Sequence, residues 1–169
     1  MLDEKRIKEV QQNVAQYLQE GLLQKRQANQ QAITILVENA RNSIQETRNV
    51  QTPLWKIVIS YYSMFYVANA VLVKLGYKVG DKVAHKVTSD ALIVYVKDRL
   101  AIELLDSYQT AQSEALAGIK ANELVKSFDL ERTKRSIFQY TTTKTVMESK
   151  AQTSVKRAQE FVAEMMKLL

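Results

Sequence analysis

The chain has 169 residues with a formal net charge of +6, one histidine, no cysteine, four glycines and one proline. That length fits a single domain, 1–169, able to bury a sizeable core. The absence of cysteine excludes disulfides, thiol catalysis and thiolate metal sites. So little glycine and proline argues against a turn-rich β fold, while Ala, Leu, Gln, Glu and Lys favour helix.

The first residues, MLDEKRIKEV, lack the apolar run of a signal peptide, so a cytoplasmic location is expected. Lys and Arg are interspersed with acids rather than blocked. The charge therefore permits a polyanionic partner without requiring one, and an ordinary solvated surface explains it equally.

In chain order, Ile7, Val10, Val14, Tyr17 and Gly21 recur at heptad-like spacing with Leu18 and Leu22 beside them, which predicts an amphipathic helix. Gln24–Ala32 is polar without a strong breaker and reads as a loop or as continuing helix. A second helix follows, with Ile33, Leu36, Val37, Ala40 and Ile44 on one side and Glu38, Arg41, Gln45 and Arg48 on the other.

Leu54–Tyr77 is the centre of the sequence. No charged side chain lies between Lys56 and Lys74. Leu54, Val58, Tyr61, Phe65, Ala68, Leu72 and Leu75 fall on one helical face, with Ile57, Met64 and Val71 alongside. Pro53 suits the first helical position, and Gly76 a left-handed stop. The run is at the short limit for a bilayer span and contains Ser60, Tyr61, Tyr62, Ser63, Tyr66 and Asn69, so a buried central helix is expected rather than a membrane segment.

Tyr77–Asp90 reads as a long loop; Lys74 just before it and Lys78, Lys82 and Lys86 within it surround His85, with Asp81 the single acid among them, and Ser89 or Asp90 caps the next helix. That helix, about Ala91 to Leu105, is expected to bury Leu92, Val94, Tyr95, Ile102 and Leu105. Gln109–Phe128 forms a weaker amphipathic helix containing Gly118. Asp129 is placed to cap a short helix, LERTKRSIFQY, which Thr141–Thr143 interrupt because their β-branched hydroxyl side chains disfavour helix. The last helix, Val146–Leu169, aligns Met147, Ala151, Val155, Ala158, Val162, Met165 and Leu169. The expected fold is all-α, an antiparallel bundle of four to five helices with additional short ones.

Chemistry is sparse. One histidine cannot form an HExxH site or a histidine cluster, and no Gly-rich phosphate loop or G-x-S-x-G elbow occurs, so neither metal nor cofactor is expected. His85 reads as a locally bonded loop residue or as a proton-transfer group. Two other stretches draw notice. Tyr62, Tyr66 and Asn69 lie at i, i+4 and i+7, apart from the aliphatic stripe; they suit either a groove or ordinary packing. Arg132, Lys134 and Arg135 precede Gln139 and Tyr140, where arginine forks suit phosphate and an aromatic suits base stacking. The plainer account of that cluster is a solvated basic helix end.

These stretches resemble the HEPN superfamily, the nucleotide-binding domains of higher eukaryotes and prokaryotes, and within it the small stand-alone prokaryotic proteins. Their central helix reads approximately S-Y-Y-A-M-F-x-A-A-x-A-L-L, similar to Ser60 through Leu72 here. A Lys-x-x-His-like element follows, as in Lys82–His85. An arginine, a nearby tyrosine and a long closing helix ending in F-V are similar to Arg135, Tyr140 and the helix bearing Phe161 and Val162.

The resemblance implies a helical bundle, usually a homodimer, often partnered with a nucleotidyltransferase in toxin–antitoxin-like systems. Many members are metal-independent ribonucleases using arginine, four to six intervening residues and histidine. Here Tyr140 follows Arg135 at that spacing, and Gln139 follows Arg132. Tyrosine, with a pKa of about 10, is a poor base at neutral pH, and glutamine does not titrate. The resemblance thus implies a nucleotide- or RNA-binding interaction subunit with a degenerate motif, and no membrane. Its phosphate-binding candidates are Arg132, Arg135, Gln139, Tyr140, Tyr62, Lys82 and His85. The alternatives are an active ribonuclease toxin, with Arg135 and Tyr140 as catalytic candidates, and a structural dimer or adaptor without ligand.

Overall fold

A computed structural model describes residues 3–128 and 137–169, with side chains outside 121–146. Helix α1 (Glu4–Gln19) leads into strand β1 (Leu23–Lys25), α2 (Gln30–Glu46) and the long α3 (Pro53–Lys74). Strand β2 (Tyr77–Val79), α4 (Ala84–Val96), α5 (Ile102–Phe128) and α6 (Ile137–Met166) complete the chain. The all-α expectation holds broadly, with one small sheet added.

α3 is the axis of the molecule. It packs on α2, α4, α5, α6 and β2, and Tyr61, Met64, Val67, Ala68 and Leu72 are inaccessible to solvent. The helix is long and apolar enough to cross a membrane; burial of most of that apolar stretch among the other elements accounts for its composition. Its start follows from Pro53 in the first turn. Gly76, with φ of +87°, ends it as the sequence predicts.

The chain order of the helices does not give a simple antiparallel bundle. α5 runs antiparallel to α3, since Tyr61 meets Tyr108 at one level and Leu54 meets Gly118 at the other. α6 instead runs parallel to α3. Lys56 pairs with Glu148 near their starts, and Lys74 donates to the terminal Leu169 carbonyl near their ends. An apolar axis helix can accept neighbours in either direction, because burial has no polarity.

Four boundaries differ from expectation, each for a tertiary reason. Gln24–Ala32 is neither all loop nor helix: β1 pairs antiparallel with β2, placing Leu23 opposite Val79 and Lys25 opposite Tyr77. Gly21 and Gly76, both at positive φ, flank this sheet, and Leu23 is wholly buried beneath it. The expected long loop is mostly ordered structure. β2 occupies its first residues and α4 begins at Ala84, so Ser89 and Asp90 are buried within a helix rather than capping one. The third difference is the helix expected over Ala91–Leu105, which stops at Val96; its remainder joins Gln109–Phe128 in α5. That helix passes through Gly118, where a Cβ would lie 2.5 Å from Leu54 Cδ1, so the glycine serves close packing on α3.

The fourth is α6, which runs unbroken through Thr141–Thr143. Three threonine penalties of a few tenths of a kcal/mol each do not overcome the cooperativity of so long a helix. The proposed Asp129 cap lies outside the described residues.

Val83 occupies the cap position of α4 with φ 47° and ψ 30° and no side-chain capping bond. A β-branched residue is strained in this left-handed region, and Val83 is 59% exposed, so packing offers little compensation. We expect Val83→Asn to raise stability by about 1 kcal/mol, since asparagine tolerates the conformation. Urea unfolding of both proteins checks this; a midpoint that falls would contradict it.

Candidate functional site

A groove of about 960 Å³ opens between α2, α3, β2 and the start of α4. Tyr62, Phe65, Tyr66, Asn69 and Val73 of α3 form one side of it. These positions follow a helical spacing, so one face of the axis helix stays clear of the deep core. Ile35 and Leu36 come from α2, and Tyr77, Lys78 and Val79 from β2. Arg26, Gln27 and Asn29 come from the segment joining β1 to α2, and Ala84 and His85 from the first turn of α4.

The sheet is what assembles the groove's charged rim, which carries Arg26, Lys78 and Asp81. The Arg26 amide donates to the Gly76 carbonyl at 2.9 Å, and the Gly80 amide to the Leu22 carbonyl at 2.8 Å. These bonds extend the ladder at both ends and hold Arg26 and Lys78 beside the aromatic wall. Tyr77 is fixed further by stacking on Tyr95, with ring centroids 4.1 Å apart and planes 19° from parallel. Burial pushes the Tyr95 phenol well up, and its hydrogen bond with Tyr77 adds to the shift.

His85 is the most constrained polar group in the groove. Its ring packs on Phe65, Tyr61 and Tyr62, with centroids 4.8, 5.4 and 5.7 Å away. Its Nδ1 lies 2.7 Å from the Tyr61 hydroxyl. Burial lowers the His85 pKa, favouring the neutral ring. Burial also holds the Tyr61 phenol well above the ordinary tyrosine value. Both groups are therefore neutral at pH 7, so the pair is a neutral hydrogen bond in a partly apolar setting. Tyr108 is fully buried beside Tyr61, and its hydroxyl makes no well-formed hydrogen bond among the described residues.

Asn69 is similarly held. Its Nδ2 donates to the Phe65 carbonyl at 2.9 Å and to Thr88 Oγ1 at 3.3 Å. The Phe65 carbonyl only accepts, so the amide nitrogen must face it, which fixes the orientation of the Asn69 side chain.

A second polar cluster docks α1 on α4. Asp90, 1% exposed, accepts from Lys86 Nζ at 2.8 Å, Tyr17 Oη at 3.0 Å and Asn13 Nδ2 at 3.1 Å, with Arg6 at 3.6 Å. Burial pushes the Tyr17 phenol up, and Asp90 adds to that. Partial burial opposes the Lys86 charge, but hydrogen bonds to Asp90 and Tyr17 win and raise its pKa. Sequence spacing does not reveal this cluster, since its α1 members, Asn13 and Tyr17, are more than seventy residues from Asp90.

Of the candidates read from sequence, the structure brings Tyr62 and His85 together, with Tyr66 and Asn69 on the same groove. Lys82 is exposed and borders an adjoining depression with Glu20, Gly21 and Leu22, which shares Lys78, Val79, Gly80 and Asp81 with the groove. Arg132 and Arg135 lie outside the described residues; Gln139 and Tyr140 fall in the first turn of α6, and their side chains lie outside too. Sequence reasoning missed Arg26, Asn29 and Tyr77, which reach the groove through the pairing of two three-residue strands and the segment that follows the first.

Among the described residues, no group of three or more His, Asp or Glu side chains is placed to hold a metal ion. Comparison with protein-family models, with curated proteins and with solved structures gives no match.

Proposed function

We propose that this chain is a HEPN-like helical protein whose groove binds a nucleotide, free or at an RNA segment. On this reading it acts as the dimeric binding subunit of a nucleotidyltransferase-associated system rather than as a nuclease. The observation that carries the reading is the groove itself. Tyr62, Phe65, Tyr66 and Tyr77 line it with aromatic rings, and Arg26, whose guanidinium is steadied by donating to Gln24 Oε1, stands with Lys78 at the same opening. Stacking on aromatic rings is tolerant of base identity, and an arginine fork matches phosphate oxygens. The resemblance supports the same reading, because three of those four rings belong to its central-helix block.

Equilibrium titration with adenosine monophosphate and with a short single-stranded RNA tests it. Arg26→Ala should weaken binding about tenfold, the worth of one charge-assisted phosphate contact. Lys150→Ala, at an exposed position of α6, should change it less than about twofold. Binding should also weaken as salt rises, because phosphate contacts release counterions. Equal losses from both substitutions would indicate diffuse charge attraction and defeat the groove assignment.

The non-catalytic part of the proposal has its own test, a metal-free RNA cleavage assay on wild type, Arg135→Ala and Tyr140→Phe. No cleavage by any of the three is expected; robust wild-type cleavage lost in both variants would establish the ribonuclease alternative. Sedimentation at micromolar concentration tests the dimer, and a clean monomer would contradict it.

A further inference from the structure

The side-chain bonds of His85 and Asn69 have a joint consequence at the floor of the groove. The two residues are neighbours across the α3–α4 seam: His85 packs on Phe65, and Thr88, one turn on, bonds Asn69, four residues after Phe65. We infer that they present a fixed donor–acceptor pair, His85 Nε2–H and Asn69 Oδ1, which recognises a nucleobase edge bearing an acceptor beside an N–H donor. This rests on the nucleotide reading above and specifies the part of the ligand that enters deepest.

The polarity of each member follows from its bonds. The Tyr61 hydroxyl lies 2.7 Å from His85 Nδ1, and the inferred polarity has the phenol donate and the ring nitrogen accept. A neutral imidazole that accepts at Nδ1 carries its proton on Nε2, so the nitrogen left for a ligand is a donor. The lowered His85 pKa and raised Tyr61 pKa favour the neutral form of both groups, as this assignment requires. Asn69 spends its amide nitrogen on the Phe65 carbonyl and on Thr88. Its carbonyl oxygen is left as an acceptor, and both residues line the groove. Tyr61 and Thr88 are positioning residues, buried and unable to touch a ligand themselves.

Such a pair discriminates. A base that offers an acceptor and a donor satisfies both groups, whereas one lacking the donor leaves Asn69 Oδ1 desolvated without a partner. The surrounding rings supply stacking for any base, and the polar pair adds recognition of an acceptor–donor edge, rejecting analogues that lack the donor rather than choosing among the four natural bases.

Because His85 is the only histidine, long-range proton–nitrogen NMR of the full chain reads its tautomer directly, without ligand. Wild type should show protonated Nε2 and unprotonated Nδ1, and Tyr61→Phe should lose that bias. Adenosine monophosphate should bind about tenfold tighter than purine riboside monophosphate, which lacks the exocyclic amine. His85→Phe and Asn69→Leu should each weaken adenosine monophosphate by about the same factor, with circular dichroism confirming that each variant is folded. An Nδ1-protonated wild type, or adenosine monophosphate binding unaffected by the missing amine and by both substitutions, would overturn the inference while leaving nucleotide binding intact. Failure of every nucleotide to bind, with the tautomer as expected, would instead refute the nucleotide reading and the base recognition that rests on it.

Discussion

Replacing Asp90 with alanine should lower stability by about 3 kcal/mol and loosen α1 before the rest of the protein. The carboxylate is almost wholly buried and receives bonds from three residues, two of them on α1. Lys86 and Arg6 are exposed enough to regain water when it is removed. Tyr17 is not: its hydroxyl would be left buried without its acceptor, and Asn13, partly buried, would lose its partner. Stranding buried donors costs about 1–3 kcal/mol each, and unmaking a buried ionic network falls at the upper end of single-substitution effects.

Because α1 makes most of its contacts with α4 and β1, the loss should be local as well as global. Urea unfolding measures the first, and amide hydrogen exchange along α1 the second. A loss under about 1 kcal/mol with unchanged exchange would show that apolar burial of Val10 and Val14, rather than the polar cluster, docks the helix.

The second large effect is expected at Gly76. With φ of +87°, this position admits a side chain only under strain, and a Cβ there would come within 3.1 Å of the Arg26 carbonyl oxygen. Gly76→Val should therefore cost about 2–3 kcal/mol, combining a left-handed penalty with displacement of a paired strand. The proposed nucleotide binding should suffer with the fold. Arg26 reaches the rim because its amide bonds the Gly76 carbonyl, and Tyr77 and Lys78 are the next residues along. Nucleotide affinity should fall at temperatures where the variant is still folded, and Gly76→Ala should show the same pattern more weakly. Equal affinity in wild type and a folded Gly76→Val would mean that the sheet does not organise the groove.

The sequence by itself determined the helical class, the central position of Leu54–Tyr77 and the ends of that helix. The reason is local: a long uncharged run with helical periodicity has few ways to avoid water, and Pro53 and Gly76 act on their own backbone. It also singled out Tyr62, Tyr66 and Asn69, because they interrupt an otherwise aliphatic helix. Tertiary structure decided the rest. β1 and β2 are three residues each, too short for a periodic signal, and exist through pairing across some fifty residues of chain. Ser89 and Asp90 resemble caps locally, yet Asp90 is buried within α4 because Tyr17, Asn13 and Lys86 satisfy it there. The parallel course of α3 and α6 has no local code at all, since packing between apolar faces is indifferent to chain direction. Arg26 joins the groove, and His85 Nδ1 gains a hydrogen-bond partner, only because distant residues supply them: the Gly76 carbonyl for one and the Tyr61 hydroxyl for the other.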